Sequence, residues 1–375
     1  MIKPSFFYQQ LKNNGVEYFT GVPDSLLKYF CAYVADHTPR NNHIIAANEG
    51  GAVGLALGYH FATEKLPMVY MQNSGLGNAV NPLLSLADID VYSVPMLLLI
   101  GWRGEPNIKD EPQHVKQGKV TTTMLETMGI PYEVIDGDES KTVGKIEKAS
   151  QLALEKSIPV ALVIKKGTFA TYTMQTIADN KHLYKREDAV KAIVDQLSPH
   201  DIVVSTTGMA SRELFEYRQY KGQSHCSDFL TVGGMGHASQ IALAIAAQKE
   251  HCNVFCVDGD GAALMHLGSM AINGQSGLNN LKHIVINNGA HDSVGGQPTV
   301  ANEICLQTIA KGCGYSFAQC CESLDNFQQY FNDFLHTNGP AFLEIKVNKG
   351  NRKDLGRPTV TPQENKHAFM KNLKG

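Results

Sequence analysis

The chain has 375 residues, room for two domains with a core each. Its 43% hydrophobic and 18% charged content suits a globular protein, and a formal net charge of −3 offers no footprint for nucleic acid. No apolar run reaches the ~18 residues of a membrane span, the N-terminus carries no secretory h-region, and the eight scattered cysteines form no C-x-x-C pair, so a cytoplasmic location with reduced thiols is expected.

Along the first half, short apolar runs mark strands at Tyr18-Phe19, Ile44-Ile45, Met68 to Met71, Met96 to Ile100, Tyr132 to Val134 and Val160 to Ile164. Helical patterns lie between them, at Ser25 to Ala35, Glu49 to Ala62 and Lys145 to Leu154. The rhythm breaks near 166–186, then restarts with a helix at Arg186 to Leu197, a strand at Ile202 to Val204 and a helix at Ala210 to Tyr217. Further strands follow at Val254 to Val257, Ile284 to Ile286 and Phe342 to Ile345. Such alternation predicts α/β architecture, with two doubly wound parallel sheets covered by helices on both faces. The expected division is a first domain over 1–167, a linker over 168–185 and a second domain over 186–375, with no middle domain. Glycine-rich stretches at 50–58 and 236–244 loosely echo one another, as two related domains would.

Two polar motifs sit just past predicted strand ends. Gly259-Asp260-Gly261 follows Val254 to Val257, and Asn287-Asn288 follows Ile284 to Ile286, with Asn288 twenty-eight residues after Asp260. Open α/β sheets bind ligands at the carboxyl ends of their strands. The glycines let the backbone approach a ligand, and a helix starting near Ala262 would aim its unsatisfied amides at anionic oxygens. Asp260, Asn288 and the main-chain carbonyl of Ala290 form an oxygen set suited to magnesium, which commonly keeps phosphate and water ligands. Taken singly, each motif is also a common turn former. Glu49, after a strand and opening an almost uncharged helix, reads as a desolvated carboxyl with a raised pKa, or as a carboxylate complementing a helix N-terminus.

Together these residues resemble the thiamine-diphosphate-dependent enzymes. The resemblance implies that Asp260, Asn288 and the Ala290 carbonyl hold Mg2+ on the cofactor's diphosphate. Gly75, Gly261 and Ala262 count among the cofactor-binding residues, although decarboxylases of this family often carry a hydroxyl residue where Ala262 stands. It further implies that Glu49 hydrogen-bonds the aminopyrimidine ring and favours its imino tautomer. The Gly233 carbonyl accepts from the pyrimidine amino group, and Met235 wedges between the two rings; read alone, Met235 is as well a core filler. In this family the active site is shared between subunits, so at least a homodimer is implied.

Without a middle domain, the layout resembles the phosphonopyruvate and sulfopyruvate decarboxylases. Leu97 to Gly104, Asp110 to His114 and Asn287 to Pro298 carry that likeness. The expected reaction is decarboxylation of 3-phosphonopyruvate, a small 2-oxo acid bearing a phosphonate, to phosphonoacetaldehyde and carbon dioxide in phosphonate biosynthesis. Sulfopyruvate is the alternative substrate, and a non-catalytic cofactor-binding protein a further one. Arg103, Lys116 and His291 are candidates for gripping the substrate anion, and equally plain loop charges. His114 is the candidate proton donor after carbon dioxide leaves. Asp24 reads either as a proton shuttle or as part of a helix N-cap. A nicotinamide oxidoreductase fits less well, because Gly75-Leu76-Gly77 lacks the third spaced glycine of that fingerprint.

Overall fold

A computed structural model describes residues 1–175 and 182–374. The chain divides into two compact units, one comprising Met1–Ala178 with Ser293–Gln297, the other Asp179–Asp292 with Pro298–Gly375. Part of the expected linker, residues 176–181, lies outside the described residues.

In the first unit six parallel strands form one sheet: β1 (Tyr18–Gly21), β2 (His43–Ile45), β3 (Pro67–Gln72), β4 (Met96–Gly101), β5 (Tyr132–Ile135) and β6 (Pro159–Ile164). Their order is β2-β1-β3-β4-β6-β5. The continuous apolar run of β4 follows from burial on both faces. Leu97 and Leu99 enter a core with Phe19, Phe30 and Leu162, while Leu98 and Ile100 enter another with Val69, Met71 and Val163.

The second unit repeats the plan with β7 (Ile202–Ser205), β8 (Asp228–Leu230), β9 (Val254–Gly259), β10 (Leu281–Asn287), β11 (Phe317–Cys321) and β12 (Ala341–Lys346), all parallel. The order is β8-β7-β9-β10-β12-β11. Counted from the first strand of each unit, both sheets run second, first, third, fourth, sixth, fifth. The two glycine-rich stretches occupy equivalent places, since the helices Glu49–Thr63 and Ala238–Ala246 each follow the second strand of their sheet. Among the described residues, no helix is long and apolar enough to cross a membrane.

Several elements differ from the sequence expectation. The sequence reading contained no strands at β8 and β11. β8 has only three residues, and β11 is a half-exposed edge strand, so neither shows a sustained apolar run. The helix expected from Lys145 spans Glu139–Lys156, because Asp138 accepts from the main-chain N–H of Ser140 at 3.0 Å and caps it early. The helix expected from Ser25 begins at Lys28.

Candidate active site

In the second unit, Ile286 on β10 pairs with Gly259 on β9, so β10 ends at Asn287 and Asn288 leaves the sheet beside Asp260. The helix Asp260–Met265 starts on the aspartate itself, two residues earlier than expected. Asp260 is 3% exposed. Its carboxylate accepts a hydrogen bond from the Thr299 hydroxyl, and the nearby main-chain N–H groups, those of Asn288 and Gly261 among them, favour its charged form. Burial nevertheless pushes its pKa up to about 6, outweighing those donors.

The two asparagines point to different tasks. Asn287 turns inward, donating to Glu344 Oε1 at 2.7 Å and accepting from the Gly289 N–H at 2.9 Å, which shapes the turn. Asn288 accepts from the Ala290 N–H at 3.1 Å and donates to Asp292 Oδ2 at 3.3 Å. Asp292 also accepts from Arg186 Nη1 at 3.3 Å and from the Gly350 N–H at 2.8 Å. Arg186 is itself gripped in bidentate fashion by Glu213, with both contacts at 2.9 Å.

His291 lies over the Gly259-Asp260-Gly261 turn. A Cβ on Gly261 would come within 3.1 Å of its imidazole, so a side chain there would crowd the ring. Burial lowers the His291 pKa to about 4. The segment containing Gly233 and Met235 reaches the same helix, since a Cβ on Gly236 would lie 3.1 Å from the Ala262 carbonyl. Thus Asp260, Gly261, Ala262, Asn288, Ala290 and His291 gather around the ends of β9 and β10, and the segment carrying Gly233 and Met235 approaches them through Gly236. The oxygen donors among them fit a hard cation and the diphosphate it would carry. A separate buried trio, Cys256, Asp258 and His283, also has metal-ligand types within 4.8 Å, but its soft thiol does not suit magnesium.

In the first unit, Glu49 begins its helix behind the cap residue Asn48, whose side chain accepts from the Gly51 N–H at 2.8 Å. Glu49 is 5% exposed and accepts from Asn78 Nδ2 at 2.8 Å. Gly75, after β3, lies directly against its carboxylate.

A second polar group stands at the ends of β1 and β4. Asp24 is fully buried and accepts from the Leu26 N–H at 2.7 Å and the Leu27 N–H at 3.2 Å. Its Oδ1 has no partner, and a Cβ on Gly101 would fall 3.0 Å from its Cγ. Burial raises its pKa to about 6, against the opposing pull of those amides and of Arg103. Asp24 therefore turns the chain into the following helix and also keeps one oxygen unsatisfied. Arg103, expected to hold substrate, is engaged. Its Nε donates to Asp110 Oδ2 at 2.8 Å, its Nη2 pairs with Asp110 Oδ1, and its Nη1 donates to Ser25 Oγ at 2.7 Å. His114 is 8% exposed, with Nδ1 unpartnered. Burial and the neighbouring Arg103 lower its pKa to about 4, so near neutrality it is a neutral imidazole rather than a charged proton donor. Lys116 is exposed on the helix Pro112–Thr127.

Sequence reading missed Thr299, Asn78, Asp110 and Asp292 as supports of these groups. Asn78 had a signal, standing at the end of Gly75-Leu76-Gly77-Asn78 after a strand. Thr299 had none, being thirty-nine residues from the carboxylate it holds.

Comparisons with known proteins identify the family. Residues 5–125 match the thiamine pyrophosphate enzyme N-terminal TPP binding domain, and residues 206–345 match the corresponding C-terminal TPP binding domain. The chain is 31% identical to phosphonopyruvate decarboxylase of Streptomyces hygroscopicus, covering 98% of this chain and 93% of that one. It is 33% identical to phosphonopyruvate decarboxylase of Streptomyces viridochromogenes, covering 95% and 91%. It is 27% identical to sulfopyruvate decarboxylase of Methanosarcina acetivorans, covering 97% and 95%. The chain belongs to the thiamine pyrophosphate enzymes, among their 2-oxo acid decarboxylases, and is a carbon–carbon lyase with thiamine diphosphate as its cofactor.

Proposed function

We propose that the protein decarboxylates 3-phosphonopyruvate to phosphonoacetaldehyde and carbon dioxide, with thiamine diphosphate and Mg2+ as cofactors, as a step of phosphonate biosynthesis. The observation that carries this reading is the likeness to two phosphonopyruvate decarboxylases at 31% and 33% identity over nearly the whole of each chain. The single-chain sulfopyruvate decarboxylase is less similar, at 27%.

The Asp260 carboxylate, the Asn288 amide oxygen and the Ala290 carbonyl would hold the cation. Gly261 and Ala262 would offer main-chain amides to the diphosphate, and Gly233 and Met235 would seat the rings. Glu49, kept from water and oriented by Asn78, would hold a proton at the pyrimidine nitrogen. When bound, thiamine diphosphate supplies an electron sink for the pair left behind as carbon dioxide departs. Release of the aldehyde then needs one proton delivered to carbon. Asp24 suits that task near neutrality, since its pKa of about 6 lets the acid form be reached, whereas His114 at about 4 serves as a neutral relay. The active form is at least a homodimer, which sedimentation of the purified protein tests.

The deciding experiment measures carbon dioxide release from phosphonopyruvate, sulfopyruvate and pyruvate, with and without thiamine diphosphate and Mg2+. The expected result is cofactor-dependent release with the highest kcat/KM for phosphonopyruvate. A clear preference for sulfopyruvate would overturn the substrate. Full activity of Glu49→Gln would overturn the role of Glu49.

A further inference from the structure

One face of the second sheet is apolar along β9 and β10 until it meets three polar side chains. Val254, Cys256 and Asp258 alternate along β9 and share that face with their partners on β10, Leu281, His283 and Val285. Val254, Cys256 and Leu281 pack into one core with Ala238 and Ala242, and Val285 packs into another with Tyr315 and Phe342. Cys256, Asp258 and His283 therefore stand at the seam of two cores, at 0%, 1% and 1% exposure. We infer that Cys256 Sγ, an Asp258 carboxylate oxygen and His283 Nε2 form a binding site for a zinc-class divalent cation, separate from the candidate Mg2+ site.

The hydrogen bonds leave room for such an occupant. Asp258 Oδ1 accepts from the Gly259 N–H at 3.0 Å. Its Oδ2 lies 3.8 Å from His283 Nε2, too far for a hydrogen bond, and that nitrogen has no hydrogen-bond partner. Buried polar atoms are nearly always paired, so an orphan nitrogen beside a carboxylate calls for something between them. The other ring nitrogen is held, with Nδ1 at 2.9 Å from the Tyr315 hydroxyl. When that hydroxyl accepts, Nδ1 carries the proton and Nε2 presents its lone pair, which is the tautomer a metal requires.

Spacing and donor type agree. Ligands around a tetrahedral zinc stand roughly 3.3–3.8 Å apart, given its bond lengths. The Asp258–His283 edge already has that span, and the three ligand atoms all lie within 4.8 Å of one another, so the remaining edges close by about 1 Å at most. Thiolate, imidazole and carboxylate together suit zinc, whereas magnesium and calcium favour oxygen alone. Burial holds the Cys256 thiol well above its usual pKa, so the metal would bind with release of that proton. The resulting thiolate and carboxylate carry two negative charges, which a divalent cation balances where water does not reach. The ion would tie β9 to β10 two residues before Asp260 and so brace the turn that carries the candidate Mg2+ ligand.

The test uses the full chain, refolded from urea in the presence of Zn2+ or Co2+ so that a buried site can fill, then dialysed free of loose metal. Wild type, Cys256→Ala, His283→Gln and Cys305→Ser are compared, with folding verified by near-ultraviolet circular dichroism. Wild type is expected to retain about one zinc per chain by mass spectrometry, and to gain about 5 °C or more in Tm over the metal-free chain. The cobalt form should show thiolate-to-metal charge-transfer absorption, which the candidate Mg2+ site, holding no thiol, cannot produce. Cys256→Ala and His283→Gln should lose both signals, and Cys305→Ser, which changes an exposed thiol, should keep them. Retention of less than about 0.1 metal per wild-type chain overturns the inference and leaves the trio as a neutral thiol beside a histidine–aspartate pair. Metal retained by a folded Cys256→Ala chain, or a charge-transfer band lost in Cys305→Ser, overturns it by placing the ion elsewhere.

Discussion

A Cβ atom on Gly75 would overlap Oε1 of Glu49 and lie 2.6 Å from its Cγ. The two residues stand on different strand ends, and the absent side chain of one is the seat of the other's carboxyl.

Gly75→Ala should therefore displace Glu49 and break its 2.8 Å bond from Asn78. The expected result is a fall in decarboxylation of roughly 100-fold, with a stability loss of about 1–3 kcal/mol. Stopped-flow or coupled assays and urea unfolding measure the two effects separately. Activity close to wild type would show that the Glu49 position does not matter.

Asp24→Asn separates catalysis from stability. The folded pKa of Asp24, about 6, exceeds the ordinary aspartate value. Native Asp24 therefore binds its proton more tightly than the unfolded chain does, and wild-type stability falls as pH rises from ~4 towards 6. Asparagine removes that dependence. The variant should gain stability relative to wild type between pH 4 and pH 7, by up to ~3 kcal/mol, while losing roughly 100-fold or more in kcat. Unchanged kcat would assign Asp24 to the turn alone.

Asp260→Asn should show the same conflict at the candidate metal site. An uncharged amide in that buried place is expected to raise the melting temperature of the cofactor-free chain at pH 7, because it removes a carboxylate whose pKa burial has lifted to about 6. Thiamine diphosphate with Mg2+ should stabilise wild type and leave the variant's Tm unmoved. A ligand-induced shift equal to that of wild type would rule out Asp260 as a ligand.

Away from the site, Arg218 holds the buried Asp228 through two hydrogen bonds, at 2.9 and 3.0 Å. Burial still raises the Asp228 pKa to about 6. Arg218→Met would strand that carboxylate and should cost about 3–5 kcal/mol at pH 7. The cost should shrink as pH falls through 6 and Asp228 takes up a proton. Chemical denaturation at pH 7 and pH 5 checks the sign.

The apolar runs of β4, β6, β9 and β10 were legible as strands because burial on both faces forbids polar interruption. The juxtaposition of Asp260 and Asn288 was legible for a related reason: each stands just past such a run, so parallel pairing puts them side by side. β8 and β11 escaped notice because short or half-exposed edge strands carry no such constraint.

By itself, then, the sequence determined the α/β class, the cofactor family and the candidate site residues. Tertiary structure alone decided how those residues are held. It spent Arg103 on Asp110, left one oxygen of Asp24 unsatisfied, seated Glu49 against Gly75 and brought Gly350 to Asp292 across 58 residues of chain. Hydrophobic periodicity is a local property, readable along the chain. Hydrogen-bond partners and desolvation depend on groups distant in sequence, which only packing brings together.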